Sequence, residues 1–415
     1  MKSGYLSQYF TSVAAKKLSA VEVDFTRSHQ HEFNGSNELK TVLGRDEPKE
    51  FQTTFLWIEE QNAALSEIGW VKWYDARANH PTRSEYRLYY PSNAILNLAS
   101  EGDTLFIARR TDDTLLMVVT VAGSTIERQL YWLFGLNEPV GNLFSSSEIE
   151  NNNHEIDFTT RFILEELNIE VEEPENDLLD TLIKPFNNVF PTTSAFSYYA
   201  RKTLTEKVDF IDDPDGALIT LMGWEEKLFR RLERHIVELR LNQGFSNKDG
   251  QDVDGFISFS LSVQNRRKSR AGSAFEDHIG HIFKKNSLLF DTRIQTELKS
   301  KPNFLFPNLE SYSSDSFPVE LLSVLGAKTS LKDRWRQVAT EAKKIKTKHI
   351  LTLEPGISEN QTNEMIGNNI QLVLPKSIHQ TFNTKQKSWL WDLKYFISYI
   401  KDKQNTSISN GYLII

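Results

Sequence analysis

The sequence predicts two domains of different class, a β-rich domain followed by an α/β domain. Its 415 residues exceed the size of one ordinary domain. Up to about residue 140, short apolar segments such as FQTTFLWI alternate with turn residues, which is typical of a β-rich barrel or sandwich. From about residue 189, helical patterns alternate with strand patterns, as in an α/β domain.

The individual elements follow from the spacing of apolar residues. In the first domain the strand patterns are FQTTFLWI, EYRLYY, GDTLFIARR and DDTLLMVVTVAG, and TTRFILEELNI predicts a closing amphipathic helix. In the second domain the helix patterns are EEKLFRRLERHIVELRL, SAFEDHIGHIFKKN and KDRWRQVATEAKKIK, and the strand patterns are NFLFP, VELLSVLGAKTS, HILTLE and IQLVLP. We therefore predict a first domain over 1–170, an acidic linker over 171–188 and a second domain over 189–415.

Composition narrows the possible chemistry. The chain has no cysteine, which excludes disulfides, thiolate nucleophiles and cysteine zinc sites and leaves oxygen-ligated metals or histidine clusters. No apolar run reaches the roughly 18 residues of a membrane helix, and the start MKSGYLSQYF lacks an apolar signal core. We therefore expect a cytoplasmic protein with no membrane partner.

Charge is distributed unevenly along the chain. The net charge of −8 argues against a nonspecific nucleic-acid coat. However, residues 145–180 hold twelve acidic residues and one Arg, a net charge of −11, whereas residues 261–350 carry a net charge of +8. Each run taken alone is also compatible with a solvated surface. Together they predict a basic module after an acidic connector.

Two charged residues of the second domain have a spacing that can serve phosphodiester hydrolysis. Lys328 ends the apolar strand VLGAK, and Glu341 follows 13 residues later in the helix predicted to begin near Lys332. Carboxylates hold a hard divalent cation, and an ammonium orients water or offsets phosphate charge. From spacing alone the pair is weak evidence, and a surface lysine with a solvated glutamate is the better explanation.

The sequence segments around Lys328 and Glu341 are more specific than this spacing. The segments SVQNRRKSRAGSAFEDHIGHIF, KPNFLFP, FPVELL and AKTSLKDRWRQVATEAKKI closely resemble, in order and spacing, the C-terminal catalytic domain of EcoRII-type restriction endonucleases. The resemblance covers roughly residues 189–360. It implies a restriction-endonuclease-like PD-(D/E)xK fold with Mg²⁺ as cofactor, in the variant whose second acid lies on the following helix. It also implies Pro302, an Asp at position 303, Lys328 as catalytic lysine and Glu341 as the displaced acid.

Asn303 departs from this pattern. A neutral amide offers a carbonyl oxygen but not the charge that anchors Mg²⁺, so we expect cleavage to be severely impaired. Two explanations remain open, a deliberate Asp-to-Asn replacement and a natural impaired homologue that only binds DNA. The intact remainder of the motif favours the first.

The resemblance also implies the residues that read DNA. Lys332, Asp333 and Arg334 match the family positions that read a CC:GG dinucleotide, where Lys and Arg donate to guanine and Asp accepts from cytosine. The implied target contains CC and GG half-sites, such as CCWGG, read by a homodimer. A capped, solvated helix turn is the alternative explanation of this tripeptide.

Further residues of the second domain are candidates for contact with DNA or metal. In NRRKSRAG, predicted to precede the helix SAFEDHIGHIF, four basic residues suit phosphate contacts: Arg266, Arg267, Lys268 and Arg270. Glu276 is a candidate additional acid near the metal. His278 and His281 lack a third ligand, so we interpret them as residues of the helix face.

The first domain has a second, less specific resemblance. TRSHQHEFNG and WVKWYDARANHPTRSEYRLYYP resemble the plant B-three type of DNA-binding pseudobarrel over about residues 10–135. This implies two arms, 27–34 and 73–83, that clasp the major groove, with Tyr86, Leu88 and Tyr90 in the barrel core. Polar loops of an unrelated barrel are the alternative. The candidate DNA-binding residues are Arg27, His29, Gln30, Asn34, Trp73, Asp75, Arg77, Asn79 and Arg83.

The predicted function is therefore a type II restriction endonuclease that cuts double-stranded DNA. An effector copy of the site would bind the first domain and release autoinhibition, and a cognate DNA methyltransferase would belong to the same system. The alternatives are a noncatalytic DNA-binding protein, either a repressor or a sensor of modified cytosine, and a nicking or repair nuclease.

Overall fold

The structure is a computed structural model that resolves into two compact units. It describes residues 5–23, 31–45, 48–59, 64–138, 143–149, 157–171, 182, 185–186, 188–247, 250–297, 300–332 and 334–413, apart from the side chains of Asn247 and Lys268. The first unit comprises Met1–Val171 and Pro355–Gln361, and the second comprises Glu172–Glu354 and Thr362–Ile415. Within the described residues, no helix combines the length and apolar character needed to cross a membrane.

A single sheet organises the first unit. Among the described residues its strands are β1 (Phe10–Lys17), β2 (Glu32–Asn34), β3 (Lys49–Ile58), β4 (Leu65–Asp75), β5 (Tyr86–Tyr89), β6 (Thr104–Arg110), β7 (Leu115–Thr120) and β8 (Ser145–Glu148). Their order is β2-β5-β4-β3-β7-β6-β1-β8. The β3–β7 pair is parallel and the other pairs are antiparallel. The predicted β-rich class is confirmed.

Short helices cover both faces of this sheet. They are α1 (Ala20–Val23), α2 (Asn37–Leu43), α3 (Ala94–Leu98), α4 (Thr125–Leu133) and α5 (Phe158–Glu166). One face buries Phe51 and Leu105 together with Leu39 of α2. The opposite face buries Phe106 against Leu130 of α4 and the helices beside it. Because alternate residues of a strand point to opposite faces and both faces are covered, β6 is buried from Thr104 to Ala108 and β7 is buried along its whole length.

Helices dominate the second unit. The described ones are α6 (Thr193–Thr203), α7 (Pro214–Gln243), α8 (Val253–Lys285), α9 (Leu309–Ser313), α10 (Trp335–Ala339), α11 (Glu359–Gly367), α12 (Thr384–Lys387) and α13 (Leu393–Ser409). The segment NRRKSRAG lies inside α8, so the prediction that it precedes a helix is wrong. Asp252 caps α8 by accepting a hydrogen bond from the Gly255 N–H at 3.0 Å, well before this segment.

The second unit contains a five-stranded mixed sheet, in keeping with the predicted α/β class. Its strands are β11 (Asp291–Thr292), β12 (Phe304–Phe306), β13 (Ser323–Lys328), β14 (Lys348–Thr352) and β15 (Ile370–Val373), after a small hairpin of β9 (Ser246–Asn247) and β10 (Gly250–Gln251). β11, β12 and β13 pair antiparallel, whereas β13, β14 and β15 pair parallel. The ring of Phe283 in α8 packs against the rings of Phe304 and Phe306 in β12, with centroid distances of 5.2 and 5.5 Å. These contacts fix α8 on the sheet.

The helix predicted from KDRWRQVATEAKKIK is much shorter than its pattern indicates. α10 ends at Ala339, so Glu341 lies beyond the helix rather than within it. Ala342 has a φ of 45°, a left-handed conformation that ends the helical turn. The chain must then enter β14 at Lys348, and Glu341 is buried at this turn. Tertiary packing thus overrides a good helical pattern.

Gly326 is required for the close approach of α10 to β13. A Cβ atom at this position would lie 2.7 Å from Cγ2 of Val338, which is buried in α10. Such overpacking forces neighbouring side chains or backbone to shift.

We therefore expect Gly326→Ala to lower the free energy of unfolding by about 1–3 kcal/mol. Chemical denaturation of the variant checks this value. Gly367→Ala is a matched control, because no atom of the described residues lies within 4 Å of a Cβ built at that position. Equal stability of the two variants would contradict the packing argument.

Candidate active site

Asn303 and Lys328 meet at the end of β13. Asn303 immediately precedes β12, and its Oδ1 accepts hydrogen bonds from the backbone N–H of Ala327 at 2.8 Å and from Lys328 Nζ at 3.3 Å. Its Nδ2 donates to Oε1 of Glu276 at 2.7 Å. Since a backbone N–H can only donate, the oxygen of the amide must face Ala327 and the nitrogen must face Glu276.

Glu276 reaches this point from α8. It lies seven residues before Phe283, so both residues project from the same side of the helix toward the sheet. Burial raises the pKa of Glu276, and the positive charges of Arg293 and Lys328 act in the opposite direction. The Arg293 Nε lies 3.6 Å from Glu276 Oε2.

Glu341 is the second buried acid of the site. It is 5% exposed, and its Oε2 lacks a hydrogen-bond partner within the described part of the chain. Burial raises the pKa of Glu341 above its ordinary value, and the positive charges of Lys328 and Lys348 offset only part of this rise. A buried carboxylate oxygen without a donor is costly, so this atom is the strongest sign of a missing ligand.

The donors present do not fit the predicted Mg²⁺ site as it stands. Mg²⁺ selects carboxylate and other oxygen ligands in near-octahedral geometry. Glu276 and Glu341 supply such oxygens, but at the third predicted position the Asn303 amide nitrogen points at Glu276. Across the described residues, no cluster of three or more His, Cys, Asp or Glu side chains is arranged to hold a metal ion.

The loop between β13 and α10, residues 329–334, contains the predicted DNA-reading residues. Lys332 has a φ of 40°, a left-handed conformation that costs free energy in a non-glycine residue, and Arg334 is exposed. Asp333 lies outside the described residues. Glu354 accepts a hydrogen bond from the Leu331 N–H, and Thr352 Oγ1 donates to the Thr329 carbonyl at 3.3 Å.

Glu354 and Glu297 are site residues that the sequence interpretation missed. Glu354 follows β14 in the segment HILTLE, where a strand-end acid was the available signal. Oη of Tyr312 donates to Glu297 Oε1 at 2.5 Å, and the Lys343 N–H donates to the same oxygen at 2.7 Å. Burial and Glu297 raise the pKa of Tyr312. Glu297 thus holds the segment that follows Glu341.

The predicted phosphate contacts on α8 have different environments. Arg266 is exposed and stacks over Phe190, with the guanidinium 4.5 Å from the ring centre. Arg267 pairs with Glu233 at 2.6 Å while 37% of its side chain stays exposed. Lys268 lies outside the described side chains.

The prediction that Arg270 contacts phosphate is wrong, because this side chain is buried. It is 6% exposed and pairs with Oε1 of the buried Glu225 at 3.0 Å. His278 Nε2 contacts the other oxygen of Glu225 at 2.8 Å, and Arg201 contacts His278 Nδ1 at 3.1 Å. His278 is thus a buried residue of α8 that joins Glu225 to Arg201 by hydrogen bonds. Arg270 serves the packing of α7 against α8.

The described candidates of the first unit lie at one end of β4, apart from Asn34 in β2. Trp73 is wrong as a DNA contact, because it is 1% exposed and its Nε1 donates to the Gly44 carbonyl at 3.0 Å. Asp75 Oδ1 accepts the N–H groups of Arg77 at 2.8 Å and Glu85 at 2.7 Å, so it shapes the loop between them. Arg77 pairs with Glu85 at 2.5 Å.

Four of the described polar candidates are exposed to solvent: Asn34, Arg77, Asn79 and Arg83. Leu88 and Tyr90 are buried in the core, as predicted, and Tyr86 packs against it. The candidates Arg27, His29 and Gln30 lie outside the described residues.

Arg270 and Arg266 provide a direct comparison of a structural and a solvent-exposed arginine. Arg270→Ala would leave the buried Glu225 without its main counter-ion, so we expect a loss of about 3–5 kcal/mol in unfolding free energy. Arg266→Ala should cost about 1 kcal/mol or less, the value of an exposed cation–π contact. Urea denaturation of both variants measures the difference, and equal losses would disprove the assignment of Arg270.

Comparison with known proteins finds relatives that match the second unit. Residues 229–397 match the family model described as EcoRII C terminal. The type II restriction enzyme EcoRII of Escherichia coli is 38% identical over 206 residues, which are 49% of this chain and 48% of that protein. The chain therefore spans about half the length of this curated relative.

Two solved structures are similar at a lower level. Metal-depleted Ecl18kI in complex with uncleaved, modified DNA has a TM-score of 0.45 and 20% identity, covering 55% of this chain and 84% of that chain. The PspGI–substrate DNA complex has a TM-score of 0.40 and 16% identity, covering 56% of this chain and 94% of that chain. The family match and the EcoRII relative confirm the predicted resemblance of the second unit to EcoRII-type restriction enzymes, and the family match extends over residues 229–397.

Proposed function

We propose that this protein recognises double-stranded DNA at a site with CC and GG half-sites, such as CCWGG, and has the machinery of a type II restriction endonuclease impaired at one position. The observation that carries the proposal is the meeting of Lys328, Glu276 and the Asn303 amide at the end of β13. The loop 329–334 begins directly after Lys328. One strand end therefore serves both catalysis and base reading.

The chain supplies the ammonium of Lys328 and the carboxylates of Glu276 and Glu341 for phosphodiester hydrolysis. Lys328 Nζ already forms a hydrogen bond at the position of the missing carboxylate, and it can hold a water or offset phosphate charge there. The divalent cation of the predicted site requires a carboxylate at position 303. With Asn303, the site binds and orients DNA but does not cut it efficiently.

Recognition would use the loop 329–334 in the major groove. Lys332 and Arg334 can donate to guanine O6 and N7, and Asp333 can accept from cytosine N4. A palindromic pair of half-sites is matched by two copies of the chain related by a two-fold axis, so we propose a homodimer. The exposed polar residues at the end of β4 suit a second DNA segment on a B-three-like first domain, which would act as effector. A methyltransferase of matching specificity would protect the host site.

The Asn303→Asp variant tests the nuclease proposal. We expect this variant to cut CCWGG-containing DNA in the presence of Mg²⁺, because the carboxylate restores the missing ligand charge. Sequencing the ends produced from a mixed-sequence DNA library identifies the site and the cut position. Asn303→Asp combined with Lys328→Ala is the control and should be inactive.

Absence of cleavage at any sequence by the Asn303→Asp variant would overturn the nuclease proposal. It would favour the second candidate function, a noncatalytic DNA-binding protein that keeps the nuclease fold. The specific observation behind this candidate is the complete set of hydrogen bonds around Asn303, which leaves the amide well accommodated.

Arg334→Ala tests the reading loop. We expect specific binding to weaken by about 5- to 150-fold, since one bidentate contact to guanine is worth about 1–3 kcal/mol of discrimination. Fluorescence anisotropy with CCWGG and scrambled duplexes separates specific from nonspecific affinity. Arg336→Ala is the matched control, because Arg336 pairs with Glu364 at 2.9 Å. Unchanged discrimination in Arg334→Ala would remove this residue from the reading set.

A further inference from the structure

The Asn303 carboxamide links Glu276 to Lys328. Within the described residues, these two charged side chains form no direct hydrogen bond with each other. The carboxamide oxygen accepts from Lys328 Nζ, and the carboxamide nitrogen donates to Glu276. The N–H of Ala327 fixes the direction of this bridge. Each polar group around the amide is thereby matched with one of opposite character.

A carboxylate at position 303 would change the balance of charge. With the same side-chain placement it would bring a second negative charge within hydrogen-bond distance of Glu276, whose carboxylate is already partly withdrawn from water. Lys328 is then shared by two anions, and Arg293 is 3.6 Å from Glu276 with 66% of its own side chain exposed. Like charges so close destabilise each other unless a cation or a proton intervenes. A divalent cation is the usual solution for clustered carboxylates.

We propose that the Asn303 carboxamide takes the place of a divalent cation, joining Glu276 to Lys328 so that the site is assembled without a cation and does not retain one. The inference deepens the proposed function, since it concerns the same site and makes DNA binding by this chain independent of divalent cations. It depends on hydrogen bonds within the free protein. It can therefore be tested without DNA.

The key experiment swaps the two side chains. Asn303→Asp alone creates the repulsion, whereas Asn303→Asp with Glu276→Gln restores one amide, one carboxylate and the parent net charge. In EDTA we expect Asn303→Asp to melt at a lower temperature than the parent chain. We expect the double variant to recover most of that loss, because the amide introduced at position 276 can donate to the carboxylate introduced at position 303.

Cation binding is the second readout. Titration calorimetry of the full chain with Mn²⁺ should show no binding at this site for the parent. The Asn303→Asp variant should bind at least about tenfold more tightly, because ligand charge sets affinity, and Mn²⁺ should raise its melting temperature. Asn303→Ala, which removes all three side-chain hydrogen bonds without adding charge, should be destabilised and unresponsive to Mn²⁺.

Two results would overturn the proposal. One is binding of Mn²⁺ by the parent as tight as by Asn303→Asp and lost on Glu276→Gln. The other is a double variant no more stable in EDTA than Asn303→Asp alone. Neither readout depends on DNA cleavage, so a failure here is distinct from a failure of the nuclease proposal. If Asn303→Asp does not fold in EDTA, the proposal is still supported when the double variant folds in EDTA. It is also supported when Mn²⁺ restores the folding of Asn303→Asp.

Discussion

The hydrogen bonds of Asn303 hold together the elements on which the candidate site depends. Glu276 comes from the long helix α8, Ala327 and Lys328 come from β13, and Asn303 itself leads into β12. The contacts of Phe283 with β12 hold α8 in place two turns further along. Because the amide has both a donor and an acceptor, one side chain satisfies groups of opposite charge. A carboxylate has only acceptors and cannot do this unaided.

A second constraint links the proposed reading loop, residues 329–334, to the buried acid Glu341. The loop 329–334 and Glu341 flank the short helix α10, whose Val338 lies against the bare backbone of Gly326. Left-handed residues, Lys332 and Ala342, stand on either side of that helix. Strained conformations of this kind persist only where the surrounding packing holds them. A displacement of α10 would therefore move the reading loop and Glu341 together.

The strands of the second unit were predictable from sequence because they are buried, apolar and bounded by turn residues. Lys328 was correctly located at a strand end for the same reason. The extent of α10 was not predictable, since its helical pattern continues through residues that tertiary packing turns toward β14. Trp73 and Arg270 were misjudged because sequence gives residue type but not burial. An aromatic residue in a loop-and-strand arm and a basic residue in a basic run are each compatible with core and surface.

Arg270 also shows why a segment's net charge is not its surface charge. The +8 of residues 261–350 includes Arg267 and Arg270, yet their partners Glu225 and Glu233 lie outside that segment. Part of the positive charge is therefore neutralised by ion pairs between α7 and α8. Other cations of this segment are exposed among the described residues: Arg266, Lys284, Lys285, Arg293, Lys301, Arg334, Arg336, Lys343, Lys344 and Lys346. The attraction of DNA that we propose for this unit would therefore depend on these exposed side chains, because internal ion pairs contribute little field outside the protein.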